Sequence, residues 1–192
     1  IVGLLAEIFL KKNKGSKIVH DPRVIWNTKE TVDSNGGHSI TSRTGHAFVK
    51  RTMRKVDAIY GGEMSAHHYF REFAYCDSGM IPWLLIWEIL SQKNIPLADL
   101  IAERKRLFPS SGEINFKVSD AERCLEVLKT SFLESVVTTD EIDGVSMDFD
   151  TWRFNVRLSN TEPLVRLNIE TKRDEKLLRK KIKELSALIV DV

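Results

Sequence analysis

Apolar residues recur along this chain in two rhythms, and the points where one gives way to the other predict its elements. Leu4, Leu5, Ile8 and Phe9 repeat at helical spacing, so the opening stretch predicts a buried amphipathic helix. Residues 17–20 predict a short strand after the Asn13-Lys14-Gly15-Ser16 turn, and Asp21-Pro22 opens a predicted helix running to about Ser34, closed by Gly36-Gly37. Residues 38–41 predict a second strand, 42–46 a polar turn, 47–55 a basic helix and 57–60 a third strand. This repeated strand–loop–helix order predicts an α/β layer with several parallel strands, in which ligands gather at the loops beyond the strands' carboxyl ends.

Downstream the pattern changes. Residues 69–75 are aromatic-rich and predict a strand or hairpin, 80–92 an apolar helix, and Pro96 starts a further helix at Leu97 that ends before Pro109. Pro109-Ser110-Ser111-Gly112 has the composition of a linker, which predicts one domain over 1–112 and another over 113–192. Residues 113–118 alternate as a strand, and Asp120 precedes a helix with Cys124, Leu125, Leu128 and Phe132 inward. Residues 145–149 and 152–158 predict a hairpin around Asp150-Thr151, 164–170 a returning strand, and 175–190 a final helix with lysines on its outer face. The expected fold is an α/β domain with a mixed, largely parallel sheet. A small α+β domain follows, with an antiparallel sheet and helices on one face.

Composition narrows the partners. Of 192 residues, 42% are hydrophobic and 29% charged, with a formal net charge of +2, which demands no polyanion. The basic helix reads as a solvated face, and no nucleic-acid partner is expected. Cys76 and Cys124 lie far apart without a CxxC, which points to a reducing cytoplasm and away from a zinc site or disulfide framework. The apolar opening, interrupted by Glu7, is too short to span a bilayer, so no membrane partner is expected. With no initiator Met and a helix already under way at Ile1, a longer parent chain is expected.

Three loops carry candidate chemistry. Glu63 and Ser65, two apart in an expected extended loop, read either as a grip on two adjacent sugar hydroxyls or as an ordinary polar turn. His67 and His68 are neighbours and point to opposite faces of an extended segment, so they do not chelate one ion. Thr44, Gly45 and His46 precede a helix whose unpaired N–H groups suit an anion. In the third loop, Trp152, Phe154, Val156 and Leu158 alternate as a core face, leaving Arg153, Asn155 and Arg157 on the other. Ser159, Asn160 and Thr161 then add donors in one turn, and Arg157 adds a planar fork, which tilts this hairpin loop towards a phosphate site. Asp148 and Asp150 form a DxD that reads as solvated turn carboxylates.

Thr44-Gly45-His46, Gly62-Glu63-Met64-Ser65-Ala66-His67 and Arg157-Leu158-Ser159-Asn160-Thr161-Glu162-Pro163 stand in an order that resembles the α-D-phosphohexomutases, most closely the phosphomannomutase/phosphoglucomutase branch. The resemblance covers essentially the whole chain, as the third and fourth of the family's four domains. It implies that Glu63 and Ser65 hold the sugar 3- and 4-hydroxyls, and that His46 and His67 lie beside the reacting sugar or phosphate as assisting groups. It also implies that Arg23 is a basic cleft residue, and that Arg157, Ser159, Asn160 and Thr161 hold the non-reacting phosphate of the same phosphorylated hexose. The implied activity is interconversion of mannose 6-phosphate and mannose 1-phosphate through a bisphosphate. A glucose or glucosamine preference is the alternative within the family, and a non-catalytic sugar-phosphate binding module the alternative outside it. Ala66 stands where the family commonly has Gly, and the family's Ser-His-Asn-Pro phosphoserine loop and aspartate-rich magnesium loop are absent from these residues. The resemblance therefore implies Mg2+ bound elsewhere in the parent, hexose 1,6-bisphosphate as activator, and no metal or catalytic nucleophile in this portion, which by itself is expected to be inert.

Overall fold

The computed structural model of the chain describes residues 1–159 and 164–190. It divides into two compact units, Ile1–Arg104 and Lys105–Val192. The first contains helices α1 (Val2–Lys12), α2 (Trp26–Ser34), α3 (His46–Val56), α4 (Met80–Lys93) and most of α5 (Leu97–Leu107). Its strands are β1 (Lys17–His20), β2 (His38–Thr41), β3 (Tyr60–Gly62), β4 (His68–Phe70) and β5 (Cys76–Asp77), in the order β2-β1-β3-β4-β5. β1 pairs in parallel with β2 and β3, whereas β3–β4 and β4–β5 are antiparallel, so the sheet is mixed.

Successive strand residues point to opposite faces, and β1 shows the consequence. Ile18 joins Leu5, Ala6, Leu10 and Val32 in a core under α1 and α2, while Val19 joins Val49 and Met53 in a second core under α3. On α1 the residues sealed from solvent are Gly3, Leu5, Ala6 and Leu10; of the expected face, Leu5 is therefore buried, and Leu4, Ile8 and Phe9 are half-buried. Phe9 nevertheless stacks on Tyr60 at 5.2 Å between centroids. Arg104 ties α5 to α2 through Asn27 Oδ1 (2.6 Å) and Thr31 Oγ1 (3.0 Å). On the apolar helix α4, by contrast, Met80, Trp83, Leu84 and Trp87 are exposed.

Two boundaries differ from expectation. The helix predicted from Asp21 begins only at Trp26. The Asp21 carboxylate accepts hydrogen bonds from two loops instead of capping a helix, as described below. The third strand starts at Tyr60 and takes Gly61 and Gly62 into its ladder, because both pair with β4.

The second unit contains β6 (Ser110–Lys117), α6 (Ala121–Phe132), β7 (Thr138–Asp140), β8 (Val145–Phe149), β9 (Trp152–Leu158), β10 (Leu164–Thr171) and α7 (Glu175–Val190). Its wholly antiparallel sheet has the order β6-β10-β9-β8-β7. Asp120 caps α6 by accepting from Arg123 N at 2.9 Å. Cys124, Leu128, Phe132, Leu178, Leu185 and Ile189 from the helices meet Met147, Phe154, Val156, Val165, Leu167 and Ile169 from the sheet. Phe149 stacks on Trp152 at 4.2 Å. Ser110, Ser111 and Gly112, expected as linker, are the first residues of β6: Ser111 Oγ accepts from Ile169 N (2.9 Å) and Gly112 O from Asn168 Nδ2 (2.9 Å). Those bonds commit the segment to the sheet.

Candidate functional site

In the first unit, the parallel register sets His20 opposite both Thr41 and Gly62, so three strands end at one level. The loops beyond those ends carry Asp21 and Arg23, then Thr44 and Gly45 before His46, then Glu63 to His67. The sequence-identified residues Arg23, Gly45, Glu63 and Ser65 are bonded to one another here. Glu63 Oε2 accepts from Gly45 N (2.9 Å), and Arg23 Nη2 lies 4.0 Å from the same carboxylate oxygen. Arg23 Nη2 also donates to Ser65 Oγ (3.1 Å). Gly45 takes φ +117°, a left-handed value that few side chains tolerate, and this presents its N–H to Glu63.

Two residues outside the sequence-derived set organise this cluster. Asp21 is 2% exposed; its Oδ1 accepts from Arg23 N (3.0 Å), and its Oδ2 from Arg23 Nη2 (2.7 Å) and Met64 N (2.7 Å). One carboxylate thus fixes the guanidinium and the Glu63–His67 loop together. Tyr69 donates its hydroxyl to Glu63 Oε1 at 2.5 Å. Burial and the adjacent carboxylate push the Tyr69 phenol far above its ordinary range, so it remains a donor. Neither residue carried a motif signal, since each acquires its partner only when the strands assemble.

The Glu63 loop departs from the extended form expected of it. Ala66 N bonds to Glu63 O (3.1 Å) and Glu63 N to His67 O (2.9 Å), closing a tight turn between the paired strands β3 and β4. Ala66 sits at φ +67°. Ser65 and His67 are exposed at this turn, whereas Glu63 is 2% exposed with both oxygens engaged; a carboxylate retains further lone pairs for a ligand. His67 Nδ1 lies 2.6 Å from Asp77 Oδ2, and that carboxylate's other oxygen accepts from His68 N at 3.0 Å. His68 points inward to Tyr60 Oη (2.7 Å), on the opposite side from His67. Thr44 is half-buried and His46 exposed at the start of α3, whose first turn holds no acidic residue.

In the second unit, Arg153, Asn155 and Arg157 share a sheet face, as alternation predicted. Directly opposite them on β10 stand Glu170, Asn168 and Arg166. Arg153 bridges Glu170 (2.9 Å) and Asp148 (3.3 Å), which commits the first DxD carboxylate to an ion pair. Arg157 Nη2 donates to Glu113 Oε2 (3.0 Å), and Arg166 Nη1 to Glu113 Oε1 (3.1 Å). Ser159 N bonds to Leu164 O (2.9 Å), and Ser159 Oγ accepts from Arg166 Nη2 (3.3 Å). Asn160 and Thr161, also named from sequence, lie outside the described residues. Glu113 and Arg166 went unnoticed in the sequence, although the alternation of β6 and β10 puts them on the polar face. Among the described residues, no three His, Cys, Asp or Glu side chains converge as a metal site. No helix of the described residues is long and apolar enough to cross a membrane.

Comparison with known proteins gives these features a context. Residues 1–108 match the family model described as phosphoglucomutase/phosphomannomutase, alpha/beta/alpha domain III, and residues 113–187 match that family's C-terminal domain. A phosphomannomutase of Vibrio cholerae is 57% identical over 98% of the chain, and one of Escherichia coli K12 is 53% identical over the same share. The chain spans 41% of the length of each of these relatives. A crystal structure of a phosphoglucomutase/phosphomannomutase family protein from Burkholderia thailandensis is similar with a TM-score of 0.80 and 25% identity, covering 98% of this chain and 40% of that one. Aspergillus fumigatus N-acetylphosphoglucosamine mutase, determined with GlcNAc-6P and magnesium, shares the fold at TM-score 0.64 and 13% identity, over 99% of this chain and 43% of that one. Two successive domain matches and relatives more than half identical lead to one conclusion: the chain belongs to the phosphoglucomutase/phosphomannomutase family.

Proposed function

We propose that the chain supplies the sugar-binding and phosphate-binding portion of a cytoplasmic phosphomannomutase, which interconverts mannose 6-phosphate and mannose 1-phosphate through a bisphosphate. The observation that carries this reading is the bonded cluster Arg23–Glu63–Ser65–Gly45 at the carboxyl ends of three parallel strands, where α/β sheets bind ligands. In this reading Glu63 and Ser65 accept from and donate to adjacent equatorial hydroxyls, a pair common to mannose and glucose. Arg23 and the exposed His46 and His67 face the reacting end of the sugar. Arg157, Ser159, Asn160 and Thr161 take the distal phosphate, which guanidinium forks and hydroxyls recognise well. The domain division read from sequence, 1–112 and 113–192, assigns one binding role to each part. Mg2+, the phosphoserine and the chemistry they supply belong to portions of the parent outside these 192 residues, with hexose 1,6-bisphosphate as activator. The free thiols of Cys76 and Cys124 suit the reducing cytoplasm.

Titrating the chain with mannose 6-phosphate while recording amide and side-chain NMR spectra tests the binding role. Saturable shifts at Glu63, Ser65 and Ser159 are expected, and silence at all three would overturn it. For the parent activity, kcat/KM of a longer protein carrying these residues should be highest with mannose phosphates. Higher values with glucose or glucosamine phosphates would transfer the assignment to another mutase.

A further inference from the structure

Hydrogen bonds in the first unit's cluster run in one direction, from a buried carboxylate out to an exposed hydroxyl. Asp21 places its two oxygens on three N–H groups: Oδ1 on Arg23 N (3.0 Å), and Oδ2 on Arg23 Nη2 and Met64 N (both 2.7 Å). Met64 N belongs to the turn between β3 and β4, so Oδ2 sets the distance from the guanidinium to that turn. The guanidinium so held donates Nη2 to Ser65 Oγ at 3.1 Å. A hydroxyl that accepts from a cation keeps its own proton to donate. Ser65 is exposed, which leaves that proton to a ligand oxygen. Beside it Glu63 is an acceptor, held by Gly45 N and the Tyr69 hydroxyl.

We propose that Asp21 is a positioning residue for the sugar grip: acting through Arg23, it fixes Ser65 as a donor beside the acceptor Glu63, and so sets the affinity of the turn for two adjacent sugar hydroxyls. This rests on the reading of Glu63 and Ser65 as sugar ligands, and adds to it the residue that orients them. One hydroxyl of the pair accepts from Ser65 and the other donates to Glu63, an order of polarity that a vicinal diol satisfies. Arg23 is 4% exposed, so without the Asp21 carboxylate its charge needs another partner nearby. The nearest candidate is Glu63 Oε2, 4.0 Å from Nη2. A guanidinium drawn onto that oxygen leaves Ser65 without its donor and occupies the acceptor that the sugar requires. Asp21 therefore keeps Arg23 and the sugar from competing for Glu63.

Mannose 6-phosphate titrated into the 192-residue chain, with Kd read from amide shifts around Ser65, provides the test. Asp21→Asn keeps the shape but puts a donor where an acceptor stood. It should weaken binding roughly tenfold, the scale of one charge-assisted hydrogen bond. Val32→Ala, in the core under α1 and α2, should lower the melting temperature yet change Kd less than about twofold. That contrast separates positioning from a general loss of stability. In an Arg23→Gln background, Asp21→Asn should cost less than about threefold, because residues that act through one another do not add. If Asp21→Asn does not fold, Asp21→Glu, which keeps the charge and displaces it by one methylene, takes its place and should also weaken binding. An unchanged Kd in the substituted chain would overturn the inference and leave the sugar site standing. So would the full loss in the Arg23→Gln background. An unaltered chain with no saturable shift would overturn the sugar-binding role and this inference together.

Discussion

At the scale of single residues, the cluster shows how much of its geometry is held by side chains outside the sequence motifs. Tyr69 and Asp21 have no motif signal, yet Tyr69 holds Glu63, and Asp21 holds Arg23 and Met64 N. Removing the hydroxyl in Tyr69→Phe leaves a buried carboxylate oxygen short of its donor, and should cost about 1–3 kcal/mol in denaturant unfolding. His68 gives a second expectation. Burial lowers its pKa to about 4, so the folded chain keeps it neutral while the unfolded chain protonates near the ordinary value of 6.5. Its contribution to stability is complete above about pH 6.5 and is lost as the pH falls towards 4. Ring-proton NMR should place the His68 midpoint near 4, and a midpoint near 6.5 would refute the assignment. Of the residues joined in the cluster, Gly45, Glu63 and Ser65 stand in ordered motifs of the sequence, whereas Arg23 is named only by what the family resemblance implies. Asp21 was misread as a helix opener because Asp-Pro looks the same whether its carboxylate caps a helix or is taken by a loop forty residues on.

At the scale of elements, alternation was the most informative signal. The hairpin strands β8 and β9 fall where the pattern put them, because a buried core face on one side fixes their register. Short loops were read less well. The Glu63 segment was expected to be extended, but direct pairing of β3 with β4 leaves it room only for a tight turn, with Ala66 at φ +67°. A side chain in that conformation is strained by about 1–2 kcal/mol. Ala66→Gly should relieve it, partly offset by the greater freedom of glycine in the unfolded chain, for a net gain of up to about 1 kcal/mol. Equal or lower stability on thermal unfolding would show that the turn pays no such penalty.

At the scale of the whole molecule, each unit is built around its own apolar interior. The α/β/α layering of the first and the antiparallel sheet with two helices of the second were both legible from the switch between periods 3.6 and 2. The dividing point was less so, since Ser110–Gly112 has the composition of a linker and the hydrogen bonds of a strand. Among the described residues, fifteen of the second core lie below one-tenth exposure, and they fall between Cys124 and Ile189. Residues 105–192 expressed alone should therefore give a dispersed NMR spectrum and a cooperative melt, and a collapsed spectrum would show that the core is insufficient.

The two cysteine thiols of the chain differ in a way that can be put to use. Cys124 is sealed inside the second unit with its thiol pushed up by burial, while Cys76 is open to solvent on β5. A maleimide dye should accordingly mark the unaltered protein at one place only. That place adjoins Asp77, the partner of His67, so fluorescence from the tag is expected to change on adding mannose 6-phosphate if the turn has the binding role proposed for it.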